Sequence, residues 1–574
     1  MASLQFSEGP GAPEPLLRRK QLLNHIVDGM AKARPSAVWA EIPRSTTNYE
    51  LGFRKITYRS LANAINGVAW WLHRSLGPSK DLETLAYFGP WDVRYIILLL
   101  GAVKAGYKMV FPSPKYSIPG LEYLLTELKC KTILMPTASP PIVSAFLAGH
   151  SLATLDVPNT DDVLAGEHPH YSFDKTFETA RHEPLIVLHT SGTTSHPKPI
   201  VWTHDYAASF TQQNHLEPPP GYESMDRLWQ GVRLLSVMPV FHAGHMFGHL
   251  VAIANQTTVI YPVPDAALSA QTFIDVLKHT SADVAVVSPI VAEQVASDPA
   301  MLDLVYKKIN TLCYAGGDIS QITGDNLARR GRLTSMYGST ESGINPMIRP
   351  DGAWTVTDWK RHQFHPKSGF EFRHVADNDY EAFIVRNPIP EEEQPIFKTF
   401  PHLQEWSTGD LFSPDPVNPG SWTYRSRADD QINFIDGTTF NPLPFEHLVN
   451  GHPDVKAALV FGSQKPQAAL LIELETPKNL SDAERVKSIE RLWPVIWKAN
   501  ESCSKNARIE RSHVVFTRPE KPLPRAGKGT VQRRPASLLY AEELEALYTV
   551  VQPSVGCVDG ESNGVRVDRS GIKV

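Results

Sequence analysis

The stretch Leu188-His-Thr-Ser-Gly-Thr-Thr-Ser-His-Pro-Lys198 concentrates groups that can hold a polyphosphate. Hydroxyls at Thr190, Ser191, Thr193 and Thr194 donate hydrogen bonds, Gly192 lets backbone N–H groups approach an anion, and Lys198 adds a point charge. The apolar run Leu185–Leu188 reads as a strand, so the loop hangs from a strand end. A Walker loop requires GxxxxGK[ST], which this stretch lacks. Ser195-His-Pro-Lys198 fits the short S-x-x-K pattern of some acyl hydrolases, whose companion motifs are missing. On these residues alone, a Ser/Thr-rich surface turn is an equal reading.

Four further motifs follow: Tyr337-Gly-Ser-Thr-Glu341, Ser407-Thr-Gly-Asp410, Tyr424-Arg-Ser-Arg427-Ala-Asp429 and Pro524-Arg-Ala-Gly-Lys528. In this order the five segments resemble the TSGTTGxPKG, YGxTE, TGD, YxGRxD and PxxxxGK signatures of the adenylate-forming superfamily. That superfamily holds acyl-CoA synthetases, luciferases, and the adenylation domains of peptide synthetases and carboxylate reductases. Gly101-Ala-Val-Lys-Ala-Gly106 is similar to its LKAG element, so the resemblance spans about residues 55–540. Ser195, Pro199 and Ser426 stand where the family usually has glycine. Ser335 stands where peptide synthetases often have asparagine, which leaves base selectivity from that position open.

The resemblance implies attack of a carboxylate on the α-phosphorus of ATP, with release of pyrophosphate. A carboxylic acid has a pKa of roughly 4 to 5, so the nucleophile is already ionised at neutral pH and needs no general base. The obstacle is bringing an anion against a polyanion, so cations and oriented dipoles must carry the catalysis. By resemblance, Thr190, Ser191, Gly192, Thr193, Thr194 and Lys198 embrace the β- and γ-phosphates, and Glu341 binds magnesium. Lys528 bridges the substrate carboxylate and the α-phosphate. Tyr337, followed by Gly338, Ser339 and Thr340, stacks on adenine, with Gly316, Gly317 and Asp318 on its other side. Asp410 accepts from the ribose hydroxyls, with Tyr424 and Arg427 beside it, and Asp429 takes the family's hinge position.

Amino-acid-activating relatives place an aspartate near Pro239-Val-Phe-His-Ala-Gly-His245, where this chain has His242 and no acidic residue close by. An aryl or alkyl acid is therefore expected, held among Phe241, His242, Gly244 and Met336. His242, His245 and His249 have helical spacing and could also suit zinc, although no cysteine or carboxylate nearby completes the set.

Among family branches, the fungal carboxylic acid reductases resemble the chain best, through HTSGTTSHPKPIVWTH and FNPLPFEHLV. Those enzymes pass the acyl group to a phosphopantetheine-bearing carrier domain and then to an NADPH-dependent reductase domain. Neither an LGxDS carrier motif nor a GxxGxxG fingerprint is present, so this region is expected to adenylate without reducing. The alternatives are a stand-alone acyl- or aryl-CoA ligase and a non-catalytic scaffold of the same fold.

The elements that must position these groups follow from the pattern. At 574 residues the chain is too long for one core. Between about 50 and 340 helical patterns such as Leu61–His73 alternate with β-branched runs such as Leu234–Met238 and Asp283–Val287, which predicts an α/β class with parallel sheets. Shorter β-like pieces at about 350–425 suggest a small barrel or sheet, and 429–545 reads as a small α+β unit. With the resemblance, the expected organisation is an adenylation core at 1–428 built of two α/β subdomains plus a small β-barrel-like part. A mobile lid at 429–545 and a linker at 546–574 toward an absent carrier domain follow.

Tyr95–Val103 is the most membrane-like run, yet Lys104 ends it after nine residues, and a span needs roughly 20. There is no secretory signal layout, no CxxC pair among the four cysteines and no long basic run, and the formal net charge is -5. A cytoplasmic enzyme with neither a membrane nor a nucleic-acid partner is expected.

Overall fold

The computed structural model describes residues 20–137, 139–190, 197–388, 394–526 and 529–549. The Gly/Pro-rich start, the expected linker beyond 549, Cys557, Ser191 to Thr194 of the phosphate loop, and Lys528 lie outside the described residues.

The predicted strands and helices form at the expected places. A seven-stranded sheet runs in the order Arg332–Met336, Thr311–Ala315, Val284–Val287, Arg233–Val237, Thr258–Ile260, Val38–Pro43 and Phe53–Thr57, with every pair parallel except the last. A six-stranded sheet runs Ala153–Asp156, Thr132–Met135, Thr84–Tyr87, Lys108–Val110, Pro184–Thr190 and Lys198–Thr203, again parallel except for its final hairpin. Their central strands are buried nearly throughout, as continuous apolar runs covered by helices on both faces should be.

Both sheets feed one core. The helices Tyr58–Leu76 and Arg94–Lys104 pack together, and Val68 sits so close to Gly101 that a Cβ there would stand 2.5 Å from Val68 Cγ1. Tyr95 to Lys104 is buried throughout, which is the fate expected of an apolar run too short for a membrane. Lys104 is buried because Asp28 and Asn66 accept from its ammonium, at 2.8 Å each. No helix among the described residues is long and apolar enough to cross a membrane.

The predicted change of texture becomes a five-stranded antiparallel sheet, in the order Arg361–His362, Trp422–Arg427, Glu405–Pro414, Asp379–Val385 and Phe370–Ala376. Beyond it, Val455–Phe461, Ala469–Leu474 and Val514–Phe516 make a three-stranded sheet with its own apolar clusters, drawn wholly from residue 432 onward. Cys130, Cys313 and Cys503 are free and buried.

One buried charge ties distant segments together. Asp205, 1% exposed at the start of the helix His204–Thr211, accepts from Arg181 at 2.6 Å, with Lys20 and Lys398 each 3.6 Å away. Burial alone would raise its pKa, but these cations outweigh it and hold the carboxyl below its usual range. Asp205→Asn should cost roughly 2–3 kcal/mol, less than a fully buried pair because Arg181 is partly solvated. The wild-type advantage should be complete above about pH 4, the unfolded value, and shrink as the pH falls through the folded value. Thermal melts of both proteins at pH 7 and pH 3 check this, and equal midpoints at pH 7 would contradict it.

Candidate functional site

Four of the segments that could do chemistry leave the carboxyl ends of parallel strands. Thr190 ends Pro184–Thr190, Pro239 to His245 follows Arg233–Val237, Gly316 to Asp318 follows Thr311–Ala315, and Tyr337 follows Arg332–Met336. Open α/β sheets bind ligands at those ends.

The phosphate-loop candidate closes a hairpin in which Thr190 and Lys198 are paired residues. Lys198 is exposed, its ammonium 5.5 Å from the centroid of the Phe400 ring. Behind Thr190, the buried His189 is fixed at both nitrogens. Its Nε2–H donates to the Phe111 carbonyl at 3.0 Å and its Nδ1 accepts from the Tyr116 hydroxyl at 2.5 Å. A carbonyl can only accept, so this pairing sets the neutral Nε2–H tautomer. Burial lowers the pKa to about 4. The His189 ring also stacks toward Phe241, with centroids 6.1 Å apart, and so joins the six-stranded sheet to the loop after Val237 of the other sheet.

The Tyr337–Glu341 segment is pinned by its backbone. Gly338 pairs with Ile344 in a tight hairpin, where a Cβ would come within 2.1 Å of the Gly343 carbonyl, so only glycine fits. The Thr340 carbonyl accepts from Trp202 Nε1 at 2.7 Å and from the Tyr206 hydroxyl at 3.1 Å, and the Thr399 hydroxyl donates to the Glu341 carbonyl at 3.1 Å. These bonds fix the main chain around the half-buried Glu341 side chain. Trp202 lies within the quoted HTSGTTSHPKPIVWTH stretch, yet nothing in the sequence gives it or Tyr206 this role.

Tyr337 reaches across to the antiparallel sheet. Its hydroxyl donates to Asp410 Oδ2 at 2.5 Å, and Arg427 Nη1 lies 3.4 Å from Asp410 Oδ1 while donating to the Thr408 carbonyl at 3.1 Å. Asp410 and Arg427 are paired residues on adjacent strands. Gly409 between them has φ +67, and a Cβ there would stand 3.0 Å from Arg427 Nη2. Burial raises the Asp410 pKa, opposed by Arg427 and the Tyr337 hydroxyl. Burial likewise raises the Tyr424 phenol, helped by the Asp410 charge. The Tyr337 ring meets Phe364, Phe370 and Phe412 edge-on, at 5.3, 5.9 and 5.4 Å.

Asp318 follows the Gly316-Gly317 turn, and burial lifts its carboxyl to about 7, with the Glu293 charge adding to the effect. Gly317 lies against Pro289, and Gly529, the residue after Lys528, faces the next residue, Ile290, so that a Cβ on it would be 3.5 Å from Ile290 Cδ1. Asp429 lies in the turn Ala428–Asp430, exposed. On one side Arg427 faces Asp410, and on the other Arg533 holds Asp430 at 3.3 Å.

A small apolar crevice with a cavity of about 10 Å³, room for about one water, lies between the helix Ala243–Asn255 and the seven-stranded sheet. Gly244 and Met336 line it, together with Trp229, Ser236, Phe247, Gly248 and Val251. Positions 244, 247, 248 and 251 share one helix face, a spacing legible in the sequence but not used. Phe241 and His242 are not in this lining. Phe241 is buried against His189, and His242 caps the helix, its Nδ1 accepting from the Gly244 N–H at 3.1 Å. His245 and His249 are buried with their rings stacked 3.9 Å apart, and His249 Nδ1 is engaged with the His245 carbonyl at 2.8 Å. No group of three metal-binding side chains occurs among the described residues.

Comparison with known proteins gives two family matches, an AMP-binding enzyme model over residues 37–374 and an AMP-binding enzyme C-terminal domain over 429–552. The chain is 31% identical over 540 residues to the isocyanide synthase-NRPS hybrid crmA of Aspergillus fumigatus, covering 92% of this chain and 33% of that protein. It is 30% identical over 551 residues to a carboxylic acid reductase of Neurospora crassa, covering 93% and 51%. It thus spans a third to a half of the length of these relatives. In fold it is similar to ATP-bound MatB from Rhodopseudomonas palustris, with TM-score 0.66 and 18% identity over 91% of this chain and all of that one. An anthranilate CoA ligase, AuaEII, in complex with anthranoyl-AMP gives 0.68 and 17% over 92% and 98%.

Nitrogen NMR of labelled histidine should find His189 neutral and Nε2-protonated at pH 6, taking up its proton only near pH 4. The unfolded chain binds that proton near pH 6.5, so the group should withdraw stability as the pH falls from about 6.5 toward 4. A charged imidazole at pH 6 would overturn the assigned network.

Proposed function

We propose, because this chain belongs to the AMP-binding enzyme family, that it activates a carboxylic acid with ATP. A carboxylate oxygen attacks the α-phosphorus, the bond from that phosphorus to the β-bridging oxygen breaks, and acyl-adenylate and pyrophosphate form. The observation that carries this is the Tyr337–Asp410–Arg427 group, set beside the pinned Thr340–Glu341 backbone at the strand ends. Asp410 offers a carboxylate to ribose hydroxyls, with Tyr424 and Arg427 alongside. Tyr337, Gly338, Ser339 and Thr340 face the adenine side opposite Gly316, Gly317 and Asp318.

Thr190, Ser191, Gly192, Thr193, Thr194 and Lys198 take the β- and γ-phosphates, and Lys528 brings its charge between the two reacting anions. The Glu341 carboxylate fits a magnesium ion that keeps most of its waters, and a bound ion would neutralise phosphate charge. Asp429 serves as the hinge between residues 1–428 and a mobile lid at 429–545, which would alternate between two half-reactions.

The acid is aryl or alkyl. No carboxylate lines the crevice, so an α-ammonium group would be buried without a partner. Likeness to the Neurospora crassa reductase supports adenylation as the first step of carboxylate reduction. The acyl group would then pass to the phosphopantetheine arm of a downstream carrier domain, with NADPH serving a reductase domain. The reaction then belongs in the cytoplasm, where ATP and NADPH are supplied.

Carboxylate-dependent ATP–pyrophosphate exchange across aryl, alkyl and amino acids tests the proposal, with Lys528→Ala as control. Exchange with benzoate-like acids that vanishes in the variant is expected, and no exchange with any acid on folded protein and magnesium would defeat it. Gly248→Ala, whose Cβ would stand 3.6 Å from Leu234 Cδ2, should narrow the crevice without overpacking it and raise the KM for bulky aryl acids about tenfold, while the KM for ATP stays within about twofold. An unchanged acid profile would show that the acyl group binds elsewhere.

A further inference from the structure

The outer edge of the seven-stranded sheet is the strand Arg332–Met336, which pairs only with Thr311–Ala315. Its other side is closed by a side chain from a different sheet. Ser335 Oγ lies 2.9 Å from Nε2 of His362, and the two residues are 6% and 5% exposed. His362 sits on the edge strand of the antiparallel sheet, paired with Trp422. Two residues on, Tyr337 repeats the pattern with its bond to Asp410 of the same antiparallel sheet. Alternate residues 335 and 337 therefore make two parallel side-chain rungs between the sheets.

The rungs also touch each other. The His362 ring meets the Tyr337 ring edge-on at 5.9 Å, lies roughly parallel to Phe364 at 6.3 Å, and meets Phe412 at 5.6 Å. Phe364 and Phe412 are themselves edge contacts of Tyr337, so the imidazole is one wall of the box that orients the tyrosine ring. Burial lowers the His362 pKa to about 4, so at neutral pH it is an uncharged partner with one donor and one acceptor. The Ser335 hydroxyl is engaged with it, and also with the Tyr314 side chain, inside the protein.

We infer that His362 is a positioning residue for nucleotide recognition, fixing Ser335 and the Tyr337 ring so that the base is read by a preset surface rather than by a free serine hydroxyl. His362 has this role only if the adenylation chemistry proposed above holds. A bulky apolar residue in its place would keep the packing but release Ser335 and tilt Tyr337, and discrimination between adenine and guanine nucleotides should fall.

The test is pyrophosphate exchange by wild type and by His362→Phe, His362→Gln, Ser335→Ala and Lys528→Ala, with ATP and with GTP. His362→Phe and Ser335→Ala should each raise the KM for ATP roughly tenfold, the size of one lost buried hydrogen bond. Both should narrow the ATP-over-GTP ratio and leave the KM for the acid unchanged. His362→Gln, whose amide can reach Ser335 from the same distance, should recover most of both. Ser335→Ala disturbs the packing least and keeps the test valid if His362→Phe fails to fold. Unchanged KM and base selectivity in Ser335→Ala and His362→Phe, with Lys528→Ala still inactive, would overturn the role of His362 alone. Exchange persisting in Lys528→Ala would instead overturn the adenylation chemistry beneath it.

Discussion

Asp410 is a carboxylate drawn out of water at the junction of two unlike sheets, and much of the site is arranged around keeping it usable. Its side chain is 13% exposed, and burial is the largest influence on its proton affinity. Moving a carboxylate out of water costs several kcal/mol after relaxation, whereas a partly exposed partner such as Arg427 returns about 1 kcal/mol or less. The Tyr337 hydroxyl adds a short bond, yet the balance still raises the pKa. Asp410 is thus incompletely compensated, and any further hydroxyl donor brought to it meets an acceptor in need of one. Stability alone would not select such a group, but hydroxyl recognition would.

That arrangement requires a parallel sheet and an antiparallel sheet to meet, and Tyr337 carries the contact by seating its ring in the aromatic cluster of the antiparallel sheet. Phe364 and Phe370 stack at 3.7 Å, Phe372 and Trp422 at 3.7 Å, and Phe412 is fully buried among them. Aromatic pairs add about 0.5–1.5 kcal/mol each beyond the area they bury. Several such pairs make the junction stiff enough to hold one hydrogen bond in place. The glycines at 338 and 409 let the backbone pass where a Cβ would strike the neighbouring strand or Arg427.

The periodic parts of this fold were legible in the sequence. Leu61–His73 lies inside the helix Tyr58–Leu76, and the apolar runs at 185, 234 and 283 form strands, the first two with candidate site loops at their carboxyl ends. Burial pattern and loop chemistry are local properties, and short motifs retain them. The pairings that aim the site residues are not local. Trp202 bonds to Thr340 across 138 positions, Tyr337 to Asp410 across 73, and Ser335 to His362 across 27. No spacing rule links such positions, because the fold as a whole sets their distance. Phe241 and His242 are expected at the acyl pocket from their place beside the motif, and the fold adds to each a structural task, the contact with His189 and a helix cap, that the sequence does not show. An N-cap acceptor satisfies an otherwise orphaned helix N–H, a local demand that His242 meets at its own residue.

The contact between His189 and Phe241 also bears on how two half-sites stay in register. The phosphate-loop candidate hangs from the six-stranded sheet, whereas the apolar crevice belongs to the seven-stranded one. An acid and a triphosphate must meet within about 3–3.5 Å for reaction, and a 1 Å error costs about a hundredfold. Backbone ladders fix distances within a sheet, so the registration between sheets falls to side chains. His189 is held by Phe111 and Tyr116 on its own side and abuts Phe241 on the other, one residue before the cap of the crevice helix. A neutral imidazole suits this place better than a charged one, since it needs no counter-ion beside a site that must itself gather cations. The low proton affinity of His189 follows from its burial behind the hairpin, while Lys198 stands exposed at the hairpin's end, so the frame is uncharged where the surface is not.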